Sequence, residues 1–73
     1  MNILITGATG LVGSSLTHFL IQSGHTVHML STRKKYSPTH KKIHAFYWSP
    51  QDGHIDMKAF ENVDAVVHLA GAS

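Results

Sequence analysis

The segment Thr6-Gly7-Ala8-Thr9-Gly10-Leu11-Val12-Gly13 constrains this chain more than any other. It follows Asn2 to Thr6, a short β-favouring run with the apolar centre Ile3-Leu4-Ile5, the pattern of a strand buried on both faces. It leads into Leu11 to Ser23, where Val12, Leu16, Phe19 and Leu20 recur at helical spacing on one stripe. Ser15, His18 and Gln22 fall off that stripe. Gly24 then stands where a glycine just past the last turn ends a helix. A strand, a glycine-punctuated turn and an immediate helix together predict the first strand–helix unit of an α/β sheet.

The three glycines have separate expected tasks. Gly7 allows the tight turn, Gly10 lets a ligand approach the backbone with no Cβ in the way, and Gly13 lets the helix pack closely on the sheet. The amides of the first helical turn lack intrahelical acceptors, and the helix dipole adds partial positive charge. A pyrophosphate is therefore the expected ligand of this turn. A glycine triplet alone is weak evidence; one placed between a strand and an amphipathic helix is strong.

Further along, Thr26 to Leu30 reads as a second buried strand, and Ser31 to Lys42, polar and basic with Pro38 inside it, as a loop. Ile43 to Trp48 reads as an aromatic-rich strand, and Ser49 to Gly53 carries turn chemistry throughout. Asp56 to Glu61 suits one short helical turn, Ala65 to Leu69 a last buried strand, and Gly71-Ala72-Ser73 the start of a loop. The predicted fold class is α/β. We expect a Rossmann-type parallel sheet of four strands in the order 3-2-1-4, with flanking helices and right-handed crossovers. Seventy-three residues allow one small domain, burying only about 60% of its unfolded surface. The sheet stops in mid-architecture. Residues 1–73 are thus expected to be the N-terminal part of an NAD(P)-binding domain, with the rest of that domain and a substrate lobe outside them.

Composition removes several alternatives. With no cysteine there is no disulfide framework and no thiolate metal or redox site. An apolar fraction of 42% is ordinary for a globular chain. No apolar run approaches the roughly 18 residues of a membrane span, and Met1 leads directly into the first strand without a basic, cleavable leader. A cytoplasmic location without membrane contact is expected. The net charge of +2 is unevenly spread: no acidic residue precedes Asp52, while Arg33, Lys34, Lys35, Lys41 and Lys42 lie close together. Nucleic acid is not the expected partner of these charges, because no recognition helix accompanies them.

The spacing Gly7-x-x-Gly10-x-x-Gly13 after Thr6 resembles that of the extended short-chain dehydrogenase/reductase superfamily, which includes sugar-nucleotide epimerases. Asp64-Ala65-Val66-Val67-His68-Leu69-Ala70-Gly71 is similar to that superfamily's fourth strand and following loop. Tyr47-Trp48-Ser49-Pro50-Gln51-Asp52-Gly53-His54-Ile55-Asp56 resembles the Trp-x-Pro-x-x-Gly stretch of its epimerase/dehydratase-like branch of the SDR39U type. The resemblance covers essentially the whole chain. It implies cofactor contacts at Gly7, Thr9, Gly10, Leu11, Val12 and Gly13, and others beside adenine and ribose at Leu69, Ala70 and Gly71. It also implies a catalytic Tyr-x-x-x-Lys pair with a nearby Ser or Thr. Tyr36 and Lys41 have the wrong spacing, so no catalytic residue is assigned within these residues. The parent protein is expected to reduce, oxidise or epimerise a small carbonyl or sugar-like substrate. The alternative is a non-catalytic module that senses the cofactor and regulates a partner.

The end of the second strand bears on the choice of cofactor. Where NAD-binding relatives place an Asp or Glu against the ribose hydroxyls, this chain has Ser31-Thr32-Arg33-Lys34. Arg33 is a planar, permanently charged donor suited to a 2′-phosphate; Lys34 adds positive potential, and Ser31 and Thr32 add hydroxyl donors. NADP(H) is expected over NAD(H). Lys35, Lys41 and Lys42 are expected to stay solvated. The seven histidines include His40 and His44 at i, i+4, but the flanking Pro38 and the strand pattern argue against a helix there, and no metal site is expected. His68 is expected to pack within the fourth strand. Trp48 is left open between bordering the adenine and filling the core.

Overall fold

The computed structural model describes residues 1–8, 10–32, 38 and 40–69. In chain order they form β1 (Asn2–Thr6), α1 (Leu11–Gln22), β2 (Thr26–Ser31), β3 (Ile43–Ser49), β4 (His54–Ile55), a short 3₁₀ helix (Met57–Phe60) and β5 (Ala65–His68). The fold is mixed α/β, with a sheet that is mostly parallel.

The five strands run in the order β4-β3-β2-β1-β5. This corrects the expected four-strand order 3-2-1-4 by one member. The pairs β3·β2, β2·β1 and β1·β5 are parallel, whereas β4 pairs antiparallel with β3 through Trp48↔Ile55 and Ser49↔His54. The turn residues after Ser49 reverse the chain directly, so His54 and Ile55 return alongside the strand just completed, a hairpin rather than a crossover. The ring of His54 lies 5.5 Å from that of Tyr47 across it.

Alternation along the strands builds a core on each face of the sheet. On one face Ile3, Ile5, Val27 and Met29 pack with Leu16, Leu20 and Ile21 of α1 and with Ile43, Ala45, Ala65 and Val67. On the other, Leu4, Leu30 and Ala59 of the 3₁₀ helix pack with Phe46, Trp48, Ile55 and Val63. Leu4, Ile5 and Val27 are fully buried, each contributing about 1.5–3 kcal/mol of transfer free energy. The second face, which the sequence leaves without a clear cover, is thus capped by the Asp56–Val63 segment. Asp56 starts the 3₁₀ helix, its Oδ1 accepting from the Lys58 amide at 3.0 Å. His28, buried in β2, donates from Nδ1 to the Ala59 carbonyl at 2.8 Å and packs its ring against His44 and Phe46.

The helix ends as its sequence suggests. Gly24 has φ +89°, its amide donates to the Ile21 carbonyl and that of His25 to the Leu20 carbonyl, both at 3.0 Å. This is the left-handed glycine stop. The face α1 buries differs from the predicted stripe. Leu16 and Leu20 point inward, but Val12 and Phe19 are 67% and 63% exposed, and the buried helical residues are Gly13 and Thr17. Close approach at Gly13 sets this rotation: a Cβ there would overlap the Gly7 carbonyl oxygen and lie 2.7 Å from the Ala8 Cα.

Candidate functional site

The three glycines of the first turn answer to different constraints. Gly7 has φ +76°, a backbone region that L side chains rarely adopt, and its carbonyl accepts from the Gly10 amide at 3.2 Å to close the turn. Gly13 is required by the contact between helix and loop just described. Gly10 is different. It is exposed, has φ −73°, and a Cβ on it would meet only the Gly7 carbonyl oxygen, at an ordinary 3.5 Å. Nothing in the described structure demands glycine at position 10, which stands as the N-cap of α1.

That helix start is open. Gly10 is the N-cap, makes no side-chain cap, and its carbonyl receives the first helical bond from Ser14 at 2.8 Å. The amides of Leu11, Val12 and Gly13 belong to the first turn and have no helical acceptor. Leu11 and Val12 are exposed, and no acidic side chain stands in that turn to neutralise it. Ser14 Oγ donates to the Ala8 carbonyl at 3.3 Å, tying the helix back to the loop. Thr9 lies outside the described residues.

Beside this turn, the ends of β1 and β5 are locked together. Thr6 Oγ1 and His68 Nδ1 are 2.7 Å apart, and the Leu69 amide donates to both the carbonyl and the Oγ1 of Thr6, at 3.0 and 3.1 Å. Leu69 is thereby held against Thr6, where the glycine turn begins, while Ala70 and Gly71 fall outside the described residues. His68, expected to pack, instead has an exposed ring whose nitrogen meets Thr6.

On the other side of β1, β2 ends at the buried Ser31, registered against Tyr47, and Thr32 follows at the surface. Arg33 and Lys34 lie outside the described residues. A cleft of about 620 Å³ opens at this end of the sheet, lined by Thr32, Tyr47, Trp48, Ser49, Pro50, Gln51 and Asp52. Trp48 packs on the core of the second face, one of the two roles left open for it, and also lines this cleft. Asp52 was not legible as a neighbour of Thr32, because it arrives from the turn of the next strand; its Oδ2 accepts from Ser49 Oγ at 3.0 Å.

His40 and His44 do not share a helix: His44 is in β3, and His40 precedes it with Nδ1 accepting from the Lys42 amide at 3.0 Å. Among the described residues no three His, Cys, Asp or Glu side chains group to hold a metal ion, and no helix is long and apolar enough to cross a membrane. Tyr36 is outside the described residues, and Lys41 is exposed.

With this geometry in place, comparison with known proteins decides the family. The model of the NAD dependent epimerase/dehydratase family matches residues 3–73. The chain belongs to this family. Among curated relatives, it is 37% identical over 71 residues to the epimerase family protein Mb2239 of Mycobacterium bovis, a match covering 97% of this chain. It is 39% identical over 70 residues to the epimerase family protein SSP1921 of Staphylococcus saprophyticus, covering 96% of this chain. The mycobacterial protein ML0860 of Mycobacterium leprae is 32% identical over 71 residues. The chain spans 22% of the length of each of these relatives. Membership of an NAD dependent epimerase/dehydratase family implies a nicotinamide dinucleotide cofactor.

Proposed function

We propose that residues 1–73 are the first half of a Rossmann-type domain of the SDR39U type, holding the pyrophosphate and adenosine end of NADP(H). The observation that carries this reading is Gly10: a glycine that the chain's own packing does not need, at the mouth of an uncapped helix start. A Cβ-free position there is what an approaching pyrophosphate requires.

In this reading the first-turn amides of Leu11, Val12 and Gly13 donate to the pyrophosphate, with Gly7 and Thr9 shaping the turn. Leu69, Ala70 and Gly71 border the adenosine across the end of β1. Thr32, Arg33 and Lys34 meet the 2′-phosphate, with Ser31 supporting them from the strand end. When bound, the nicotinamide supplies hydride transfer to or from a small carbonyl or sugar-like substrate. This chain's residues bind and orient the nucleotide; acid–base groups and the substrate lobe belong to later parts of the protein.

Fluorescence titration of the intact protein with NADPH and NADH tests the cofactor. Arg33→Ala is expected to cost about 1.5–3 kcal/mol of NADPH binding and little for NADH, as loss of a charge-assisted phosphate contact would. Equal losses for both would remove Arg33 from the site.

A further inference from the structure

Choice between the two nicotinamide dinucleotides turns on whether the pocket beyond β2 meets a neutral 2′-hydroxyl or a 2′-phosphate. A carboxylate accepts hydrogen bonds from the first and repels the second. Positions 32 to 34, directly after β2, hold no carboxylate. The cleft nevertheless contains one, because Asp52 lines it together with Thr32.

Two features of the fold bring Asp52 there. β3 lies parallel to β2, with Ser31 registered against Tyr47, so both strands end on the same side of the sheet. The chain then turns back at once into β4, holding residues 50 to 53 at that end rather than carrying them away in a crossover. Ser49 Oγ fixes one carboxylate oxygen at 3.0 Å. Asp52 is also the first acidic residue in the chain, following the basic stretch at positions 33 to 42.

Resting on the nucleotide-binding reading above, we propose that Asp52 is a specificity-determining residue of the cleft. Its carboxylate accepts from the ribose hydroxyl of NAD(H) and opposes the 2′-phosphate of NADP(H). It thereby lowers the preference that Arg33 and Lys34 confer, and the protein accepts both dinucleotides. A carboxylate from the neighbouring hairpin takes the task usually given to one at the end of β2 itself.

Calorimetric titration of the intact protein with NADPH and with NADH tests this in the wild type, Asp52→Asn, Asp52→Glu and Gly10→Val. Asp52→Asn is expected to bind NADPH roughly five- to tenfold tighter and NADH roughly threefold weaker, the scale of one partly screened charge. Asp52→Glu keeps the charge and should restore a ratio near that of the wild type. An unchanged ratio in Asp52→Asn, or an equal loss of both nucleotides, overturns the proposal and leaves Asp52 a residue of the turn. Gly10→Val separates the two readings. If the wild type binds and this variant does not, the phosphate loop stands whatever Asp52 does; if the wild type binds neither nucleotide, both readings fall.

Discussion

At the scale of single residues, the first turn separates glycines that the fold needs from one that it does not. Gly13 has no room for a methyl group, because the obstacle is the rigid backbone of Gly7 and Ala8 rather than a movable side chain. Gly13→Ala is expected to lower stability by about 1–3 kcal/mol, as overpacking does, read from urea unfolding of the intact protein. Gly10→Ala should cost less than about 1 kcal/mol of stability, the scale of an N-cap change, while weakening nucleotide binding clearly. A Gly10→Ala protein that binds both dinucleotides as tightly as the wild type would remove the reason for reading position 10 as a phosphate approach. Thr17, polar yet buried, needs no ligand to explain it, since its Oγ1 donates to the Gly13 carbonyl at 2.7 Å.

Elements show how local signals and packing share the work. The stop of α1 is local: Gly24 at φ +89° permits the two terminal hydrogen bonds, and open space around it leaves only the backbone conformation to penalise a side chain. Gly24→Ala is accordingly expected to cost about 1–2 kcal/mol, measurable as a shift in the thermal midpoint with no change in nucleotide preference. The rotation of α1 about its own axis is not local. Its apolar residues allow more than one buried stripe, and the chosen one runs through Gly13 and Thr17 because the helix must descend onto Ala8. The 3₁₀ helix follows the same division. Asp56 caps it, as a sequence signal can say, but the completely buried Ala59 and the His28 hydrogen bond to its carbonyl decide where it docks.

Over the whole molecule, the sheet is covered unevenly. α1 lies on one face and the 3₁₀ helix on the other, over β1 to β3. β5 is less protected. Val66, registered against the fully buried Leu4 and on the same face, remains 58% exposed, and β5 forms one edge of the sheet. Edges of this kind template pairing with other chains. We therefore expect residues 1–73, expressed alone, to self-associate and to show no dehydrogenase or epimerase turnover. Sedimentation over a concentration series checks the first point, and Val66→Lys should shift the population toward monomer. A protected monomer in hydrogen exchange at all concentrations would show that this edge is not adhesive.

Some of this was legible in the sequence because the signals are short-range. The strand, glycine turn and helix at the N-terminus, the buried strand at Thr26, the stop at Gly24 and the 3₁₀ turn at Asp56 each depend on residues within a few positions of one another. Backbone sterics and hydrogen bonding act at that range. The family could be recognised from the same short motifs. What the tertiary structure decided are relations between segments distant in the chain. The antiparallel β4 depends on where the turn after Ser49 releases the chain. The buried face of α1 depends on a glycine contact across the loop, and the clamp between Thr6 and His68 joins residues at opposite ends of the sequence. Asp52 reaches the cleft beside Thr32 only because parallel strands end on one side of the sheet and a hairpin holds the chain there. No local pattern encodes such a meeting, since it arises from burying two faces of one sheet at once.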